Sequence, residues 1–259
     1  MKTKVERLLP KVEQRPGNGG RKITKPFSYY DLIDMLKHPG CAVCNLLLQK
    51  TDRYMDSMLY ELSLDPDVQR SFRERRGLCN EHSTQLTGYM GGSMGVAILF
   101  SGSLDEVVKA MHEPHDDDRR GGLRSIFRRN GRRDPLEERL APTSVCNVCN
   151  YVGEIENRYF DTLGKFIVDR QFNAAFKTSD GLCLPHFRMA IGKIKDLSAK
   201  EQIISIHGRI WTSLKADLDS FIAKNNYLQK HEISQQESSS WQRVVRIAGE
   251  RGVFGPDRS

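Results

Sequence analysis

Six cysteines and two histidines form one pattern that occurs twice in the chain, a Cys-x-x-Cys pair followed later by Gly-Leu-Cys-x-x-His. The eight residues are Cys41, Cys44, Cys79, His82, Cys146, Cys149, Cys183 and His186. Each copy contains three thiols and one imidazole, which together make a complete tetrahedral ligand set for a soft divalent metal ion. No cysteine lies outside the pattern. The spacing therefore predicts two metal sites, each built from the ligands of one copy.

Several kinds of chemistry use such thiolate-rich sets. A closed Cys3His set is typical of structural zinc, so two zinc ions per chain are the first expectation. Iron–sulfur clusters are an alternative, because cysteine thiolates hold them and a histidine can replace a cysteine. A dithiol redox pair would normally accompany a βαβ pattern, which the sequence lacks. Buried cysteines without any bound ion are the remaining alternative.

The two copies share more than their metal-binding residues. Cys146 follows Cys41 by 105 residues, and Cys183 follows Cys79 by 104. The motif Arg-Tyr-x-Asp occurs once in each copy, beginning at Arg53 in the first. Such a period is too long for a solenoid repeat. It predicts two homologous half-domains related by a pseudo-twofold axis, each clipped by a Cys3His metal site.

Hydrophobic periodicity predicts an all-α fold with the same helix order in both copies. Apolar residues recur at helical spacing over about 42–62 and again over about 148–166. Asp65-Pro66 is the signature of an N-cap followed by the first position of a short helix. Further helices are expected from Cys79 and from Cys183, and a long one over about 198–221. No run of alternating residues predicts a strand.

Composition divides the chain into five segments. They are a flexible basic arm (1–27), a first metal-binding repeat (28–112), a charged Arg-rich linker (113–144), a second repeat (145–228) and a polar tail with a short amphipathic helix (229–259). The net charge is +7, and the arm supplies most of this excess. A basic arm and linker could dock on a partner, with a protein as the first expectation.

Seven arginines in the linker are candidates for contact with a partner or with nucleic acid. They are Arg119, Arg120, Arg124, Arg128, Arg129, Arg132 and Arg133. Such residues can neutralise phosphates. Neither an aromatic stacking platform nor a recognition helix accompanies them, however, and a solvated linker is the alternative.

Sequence patterns for targeting, membrane spanning and catalysis are missing. The first 27 residues are polar and basic, without the apolar core of a secretory signal. The longest apolar run, Val96 to Phe100, is too short to span a bilayer. We therefore expect a cytoplasmic protein, in which reduced thiols favour metal or redox chemistry over disulfides. With no P-loop, dinucleotide fingerprint or Ser-His-Asp order, no catalytic residue and no small-molecule substrate are predicted.

The combination of Cys-x-Val-Cys, a helix carrying Arg-Tyr-x-Asp and then Gly-Leu-Cys-x-x-His resembles an uncharacterised family of prokaryotic proteins, known mainly by this duplicated motif. The resemblance covers residues 28–112 and 145–225 and includes all eight cysteines and histidines of the pattern. It implies metal sites and no established activity. The expected function is a non-enzymatic scaffold, adaptor or accessory subunit. An iron–sulfur electron-transfer subunit or redox sensor and a nucleic-acid-associated zinc protein are the alternatives.

Overall fold

A computed structural model describes residues 24–89, 91–112, 135–225 and 232–248. Within these ranges the chain forms eleven α-helices and no β-strand, which confirms the all-α fold. Most of the basic arm and much of the linker lie outside the described residues. All seven candidate arginines lie outside them as well: Arg119, Arg120, Arg124, Arg128, Arg129, Arg132 and Arg133.

The helices expected from periodicity are present, and further helices accompany them. They are α1 (Phe27–Met35), α2 (Ala42–Tyr60), α3 (Pro66–Glu74), α4 (Asn80–Leu86), α5 (Ser93–His112), α6 (Pro135–Leu140), α7 (Asn147–Phe166), α8 (Arg170–Thr178), α9 (Leu184–Lys193), α10 (Leu197–Lys224) and α11 (Gln235–Ala248). None of these described helices is both long enough and apolar enough to cross a membrane.

The described residues fall into two compact units. Unit 1 comprises Thr51–Tyr151, and unit 2 comprises residues 24–50 and 152–248. The division lies inside the long helices α2 and α7, so each unit contains residues from both copies of the sequence pattern. The two copies are therefore not two separately compact bodies, and the pseudo-twofold axis stays a prediction.

Local sequence signals explain how the short helices α3 and α8 begin and how the chain turns after each of them. The Asp65 carboxylate accepts hydrogen bonds from the amides of the first turn of α3, and the Asp169 carboxylate accepts one in α8. After these helices, Gly77 and Gly181 adopt φ angles of +97° and +74°. A side chain is strained in this left-handed region. These glycines therefore allow the chain to turn just before Cys79 and Cys183.

Unit 1 is held together by close packing around α5. The Phe72 ring of α3 meets the Phe100 ring edge-on, with 5.0 Å between centroids. A Cβ on Gly95 would lie 2.4 Å from the carbonyl oxygen of Leu59, so α5 approaches α2 at backbone distance. Residues 135–144, which composition places in the linker, include α6, which packs on α5. The Arg76 guanidinium donates to the Arg139 carbonyl oxygen at 2.9 Å.

In unit 2 the core centres on Tyr29. Its ring packs against Phe166 and Phe172 at centroid distances of 5.1 and 5.5 Å. Its hydroxyl donates to the Asp169 carboxylate at 2.8 Å, and Lys25 forms an ion pair with the same carboxylate at 3.2 Å. Lys25 belongs to the segment expected to be a flexible arm. The end of that segment is thus anchored beside α8.

The polar tail contributes helix α11, which packs along α10. Glu237 accepts a hydrogen bond from Lys224 at 2.7 Å, and Arg243 forms an ion pair with Asp217 at 3.1 Å. Charged contacts and the burial of Ile247 therefore both contribute to this docking.

Candidate metal centres

The eight residues of the duplicated pattern form two clusters. Site A consists of Cys41, Cys44, Cys183 and His186, and lies within unit 2. Site B consists of Cys79, His82, Cys146 and Cys149, and lies within unit 1. In each cluster the four candidate ligand atoms all lie within 4.8 Å of one another. Both clusters could therefore hold a metal ion.

The expectation that each copy supplies its own complete ligand set is wrong. Each site combines the Cys-x-x-Cys pair of one copy with the Cys-x-x-His pair of the other. The division of the chain into units agrees with this pairing. Cys41 and Cys44 belong to unit 2 with Cys183 and His186, whereas Cys79 and His82 belong to unit 1 with Cys146 and Cys149.

Both Cys-x-x-Cys pairs lie at the start of a long helix. Cys41 precedes the first residue of α2, and its carbonyl oxygen accepts from the Asn45 amide at 3.1 Å. Cys146 precedes α7 in the same way, with Asn150 donating at 3.0 Å. The first turn of a helix carries amides without helical partners and the positive end of the helix dipole. Both features favour negatively charged thiolates.

Both Cys-x-x-His pairs lie at the start of a short helix with nearly identical backbone geometry. Cys79 is the N-cap of α4 with φ −66° and ψ 164°, and Cys183 is the N-cap of α9 with φ −66° and ψ 162°. The histidine follows three residues later, in the first turn. Residues spaced in this way lie on one face of a helix. Each short helix thus presents one sulfur and one nitrogen in the same direction.

In site A the Nδ1 atom of His186 faces all three sulfurs. It lies 3.3 Å from Cys41 Sγ and 3.2 Å from the Sγ atoms of Cys44 and Cys183. The sulfurs of Cys44 and Cys183 are 3.6 Å apart. A tetrahedral zinc ion would separate two sulfurs by about 3.8 Å and sulfur from nitrogen by about 3.5 Å. These distances fit one ion of that kind.

Site B has the same arrangement around His82. Its Nδ1 atom lies 3.1 Å from Cys79 Sγ, 3.4 Å from Cys149 Sγ and 3.7 Å from Cys146 Sγ. The sulfurs of Cys79 and Cys149 are 3.6 Å apart. This site could therefore accept the same ion as site A.

A buried carboxylate distinguishes site A from site B. His186 Nε2 donates to Glu156 Oε1 at 3.0 Å, and these residues are only 1% and 4% exposed. Such a partner fixes the tautomer and the ring orientation of a metal-binding histidine. The described hydrogen bonds of His82 go only to sulfurs. Sequence reasoning missed Glu156. Its position within the apolar stripe of α7, three residues before Tyr159, could have indicated a buried carboxylate with a specific partner.

His207 is a second residue near site A to which sequence reasoning assigned no role. The Leu182 amide donates to His207 Nε2 at 2.8 Å, and His207 Nδ1 donates to the Ile203 carbonyl oxygen at 2.9 Å. Burial lowers the pKa of His207 to about 4, so the ring is neutral. It holds the turn that precedes Cys183. No sequence pattern marked it.

Three groups of site A, Cys44, Cys183 and His186, have strongly shifted pKa values. Hydrogen bonds from Cys41 and Cys44 hold the pKa of the Cys183 thiol far below its usual range. A hydrogen bond with Cys183 raises the pKa of Cys44. Burial opposes the charged form of His186, but contacts with Cys183, Cys41 and Glu156 outweigh it and raise its pKa to about 11. Binding of a divalent cation would therefore displace protons from this cluster.

In site B the two thiols of the Cys-x-x-Cys pair shift in opposite directions. Burial opposes ionisation of Cys146, but hydrogen bonds from His82 and from backbone amides lower its pKa to about 6. Burial, together with the charge of Cys146, raises the pKa of Cys149 to about 12. Cys146 is thus the thiolate to which a cation would first be attracted.

Comparisons with known proteins agree with the resemblance noted from the motif. Residues 30–251 match a family described as "Family of unknown function (DUF6062)". A protein of Caldicellulosiruptor sp. (strain Rt8B.4), described as an uncharacterized 23.9 kDa protein in the xynA 3' region, is 24% identical over 221 residues, which are 84% of this chain and 99% of that protein. No solved structure matches the chain. Because the family match spans most of the sequence, the chain belongs to the family of unknown function DUF6062.

Proposed function

We propose that the protein binds two structural zinc ions, one in site A and one in site B, and works as a non-enzymatic scaffold, adaptor or accessory subunit. The observation that carries the proposal is that each site supplies a complete set of four ligands. Each offers three sulfurs and one nitrogen within 4.8 Å of one another. A four-coordinate zinc ion so bound has no vacant position for a substrate or for a reactive water.

The distances favour a single ion over an iron–sulfur cluster. In a cluster, the protein ligands bind different irons and are held apart by the width of the cluster. Here the sulfurs of Cys44 and Cys183 lie 3.6 Å apart, and so do those of Cys79 and Cys149. This spacing matches two ligands of one ion. A redox role would need metal chemistry other than that of zinc, which has no accessible second oxidation state.

A structural role follows from what each site links. Cys44 and Cys183 are 139 residues apart in the sequence, and Cys79 and Cys149 are 70 apart. A metal ion that closes long loops removes conformational freedom from the unfolded chain. Since a formed site exists only in the folded state, its binding free energy contributes directly to folding. Each ion would thus stabilise the unit that contains it.

The proposal includes a protein partner and a cytoplasmic location. All six cysteines are free thiols, which is the state that zinc requires and that a reducing compartment maintains. Exposed apolar side chains of α5, among them Met94 and Leu104, supply a surface for protein contact.

Elemental analysis of protein purified without oxygen, combined with an absorption spectrum, tests the proposal. We expect about two zinc ions per chain and no visible band. The Cys79→Ser variant should lose one zinc ion and expose unit 1 to hydrogen exchange. Ser238→Ala, which changes an exposed residue of α11, is the matched control. Iron with an equivalent amount of sulfide, or a Cys79→Ser variant that is fully folded with site B empty of metal, would contradict the proposal.

A further inference from the structure

Helix α5 carries a row of small and apolar side chains that face solvent. The row, called here the α5 seam, consists of Met94, Ala97, Ser101, Leu104, Val108 and Met111. The larger members are strongly exposed: Met94 72%, Leu104 59%, Val108 50% and Met111 57%. Their spacing alternates between three and four residues over almost the whole helix, which is the spacing of a and d positions in a coiled coil. A second helix could therefore lie along the seam.

The opposite face of α5 already packs within unit 1. Gly95, Leu99, Ser103 and Ala110 are buried, and α5 contacts α3 and α6. The helix thus has two apolar faces, of which its own unit covers one. A solvent-facing helix surface is usually charged or polar. An extended exposed apolar surface instead marks a site of interaction.

No charged residue lies on the seam. The half-buried Ile98 and Val107 flank it and extend its apolar width, and Asp105 is the one flanking residue with a charge. Lys109 and Glu106 lie off the seam and form an ion pair with each other at 3.0 Å. The seam therefore offers little to an acidic or basic peptide and favours an equally uncharged helix.

We propose that the α5 seam pairs in antiparallel fashion with the α5 seam of a second copy of this chain. A twofold interface places the same surface on both sides and must be complementary to itself. The α5 seam meets this requirement when the axis passes midway between Ser101 and Leu104. Ala97 of one copy then faces Val108 of the other, and Ser101 faces Leu104. Each small side chain thereby lies opposite a larger one, which is how closely packed layers interdigitate.

The alternative parallel arrangement fits less well. It would place Ala97 against Ala97 and Ser101 against Ser101, which leaves the space beside these small side chains unfilled. In the antiparallel arrangement like flanks meet, so Asp105 of one copy lies opposite Ile98 of the other, and Phe100 lies opposite Val107. No like charges meet across the axis. Side-chain size thus favours the antiparallel orientation.

Analytical ultracentrifugation of the full-length, metal-loaded protein tests the pairing. We expect a dimer for the wild-type protein. Leu104→Lys and Ser101→Glu should each weaken association by at least about a hundredfold, because each buries an unpaired charge at the axis. The double variant Ser101→Glu/Leu104→Lys should restore the dimer. Each new carboxylate then faces the new ammonium group of the other copy, whereas parallel pairing would bring like charges together.

The matched control is Ile222→Lys, which introduces the same charge at an isoleucine of α10 that is 70% exposed. It should leave the dimer intact. Helical content and zinc stoichiometry, measured for every variant, separate loss of pairing from loss of folding. A monomeric wild-type protein, a dimer that Leu104→Lys does not weaken, or a double variant that stays monomeric would each overturn the proposal.

Discussion

Glu156 Oε1 accepts a hydrogen bond from His186 Nε2 at 3.0 Å, and both side chains are almost completely buried. His186 presents its other nitrogen to three sulfurs of site A, so the carboxylate determines which nitrogen is free to bind a metal ion. The equivalent position in the first copy is occupied by Thr51, which has no carboxylate. The two sites therefore share a ligand set but differ in what supports their histidine.

This difference predicts unequal metal retention. A chelator should remove zinc in two phases, with site B losing its ion first. Glu156→Gln should weaken zinc binding at site A by about tenfold and bring the two phases together, because the histidine loses its charged partner. Competition with a chromogenic chelator measures both effects. Glu154→Gln, at an exposed position of the same helix, is the control. Unchanged phases in Glu156→Gln would show that the carboxylate has no effect on the site.

The exchange of ligand pairs between the copies predicts a specific pattern in double variants. Cys41→Ser/Cys183→Ser removes two ligands of site A and should retain one zinc ion per chain. Cys41→Ser/Cys79→Ser removes a ligand from each site and should retain none. If each copy instead formed its own site, the second variant would keep one ion and the first would keep none. Zinc analysis of the two purified proteins decides between the arrangements.

Acid should destabilise the protein partly through His207. This residue is 0% exposed, and burial lowers its pKa to about 4, whereas in the unfolded chain it titrates near 6.5. The unfolded state thus binds a proton that the folded state excludes, and stability is lost as the pH falls from about 6.5 to about 4.

The His207→Gln variant isolates this contribution because it removes the titration and keeps a side-chain donor and acceptor. Urea unfolding at pH 7 and pH 5 should show that the wild type loses about 1–2 kcal/mol more stability than the variant over this interval. Zinc release in acid affects both proteins, so it cancels in the comparison. Equal losses would mean that His207 is already protonated in the folded protein at pH 5.

Close packing of α5 on α2 predicts opposite effects for two glycine substitutions. In Gly95→Ala the new Cβ would lie 2.4 Å from the Leu59 carbonyl oxygen, so the helices must separate. We expect a loss of about 1–3 kcal/mol. In Gly208→Ala the new Cβ meets nothing within 4 Å, and alanine favours the helix by up to about 1 kcal/mol. Thermal unfolding of both variants measures the difference. A neutral Gly95→Ala would contradict the close approach.

The sequence by itself determined the helices and the candidate ligands, because both depend on local chemistry. Asp65 followed by Pro66 begins α3 as expected, since the carboxylate can reach the amides only two and three residues away. Cys-x-x-Cys and Cys-x-x-His keep their donor atoms close together, because the two residues of each pair are only three positions apart. The family resemblance rested on these same residues, and the family match confirms it.

Only the tertiary structure decided which pairs of ligands meet. Cys44 lies beside Cys183, 139 residues away, within unit 2, whereas Cys79 of its own copy belongs to unit 1. The roles of Glu156 and His207, and the exposure of the α5 seam, likewise depend on which helices pack together. Spacing in a sequence constrains the few residues around each motif. Contacts between distant segments depend on how the whole set of helices buries its apolar faces. Periodicity predicts that a helix face is buried, but it does not identify the helix that covers this face.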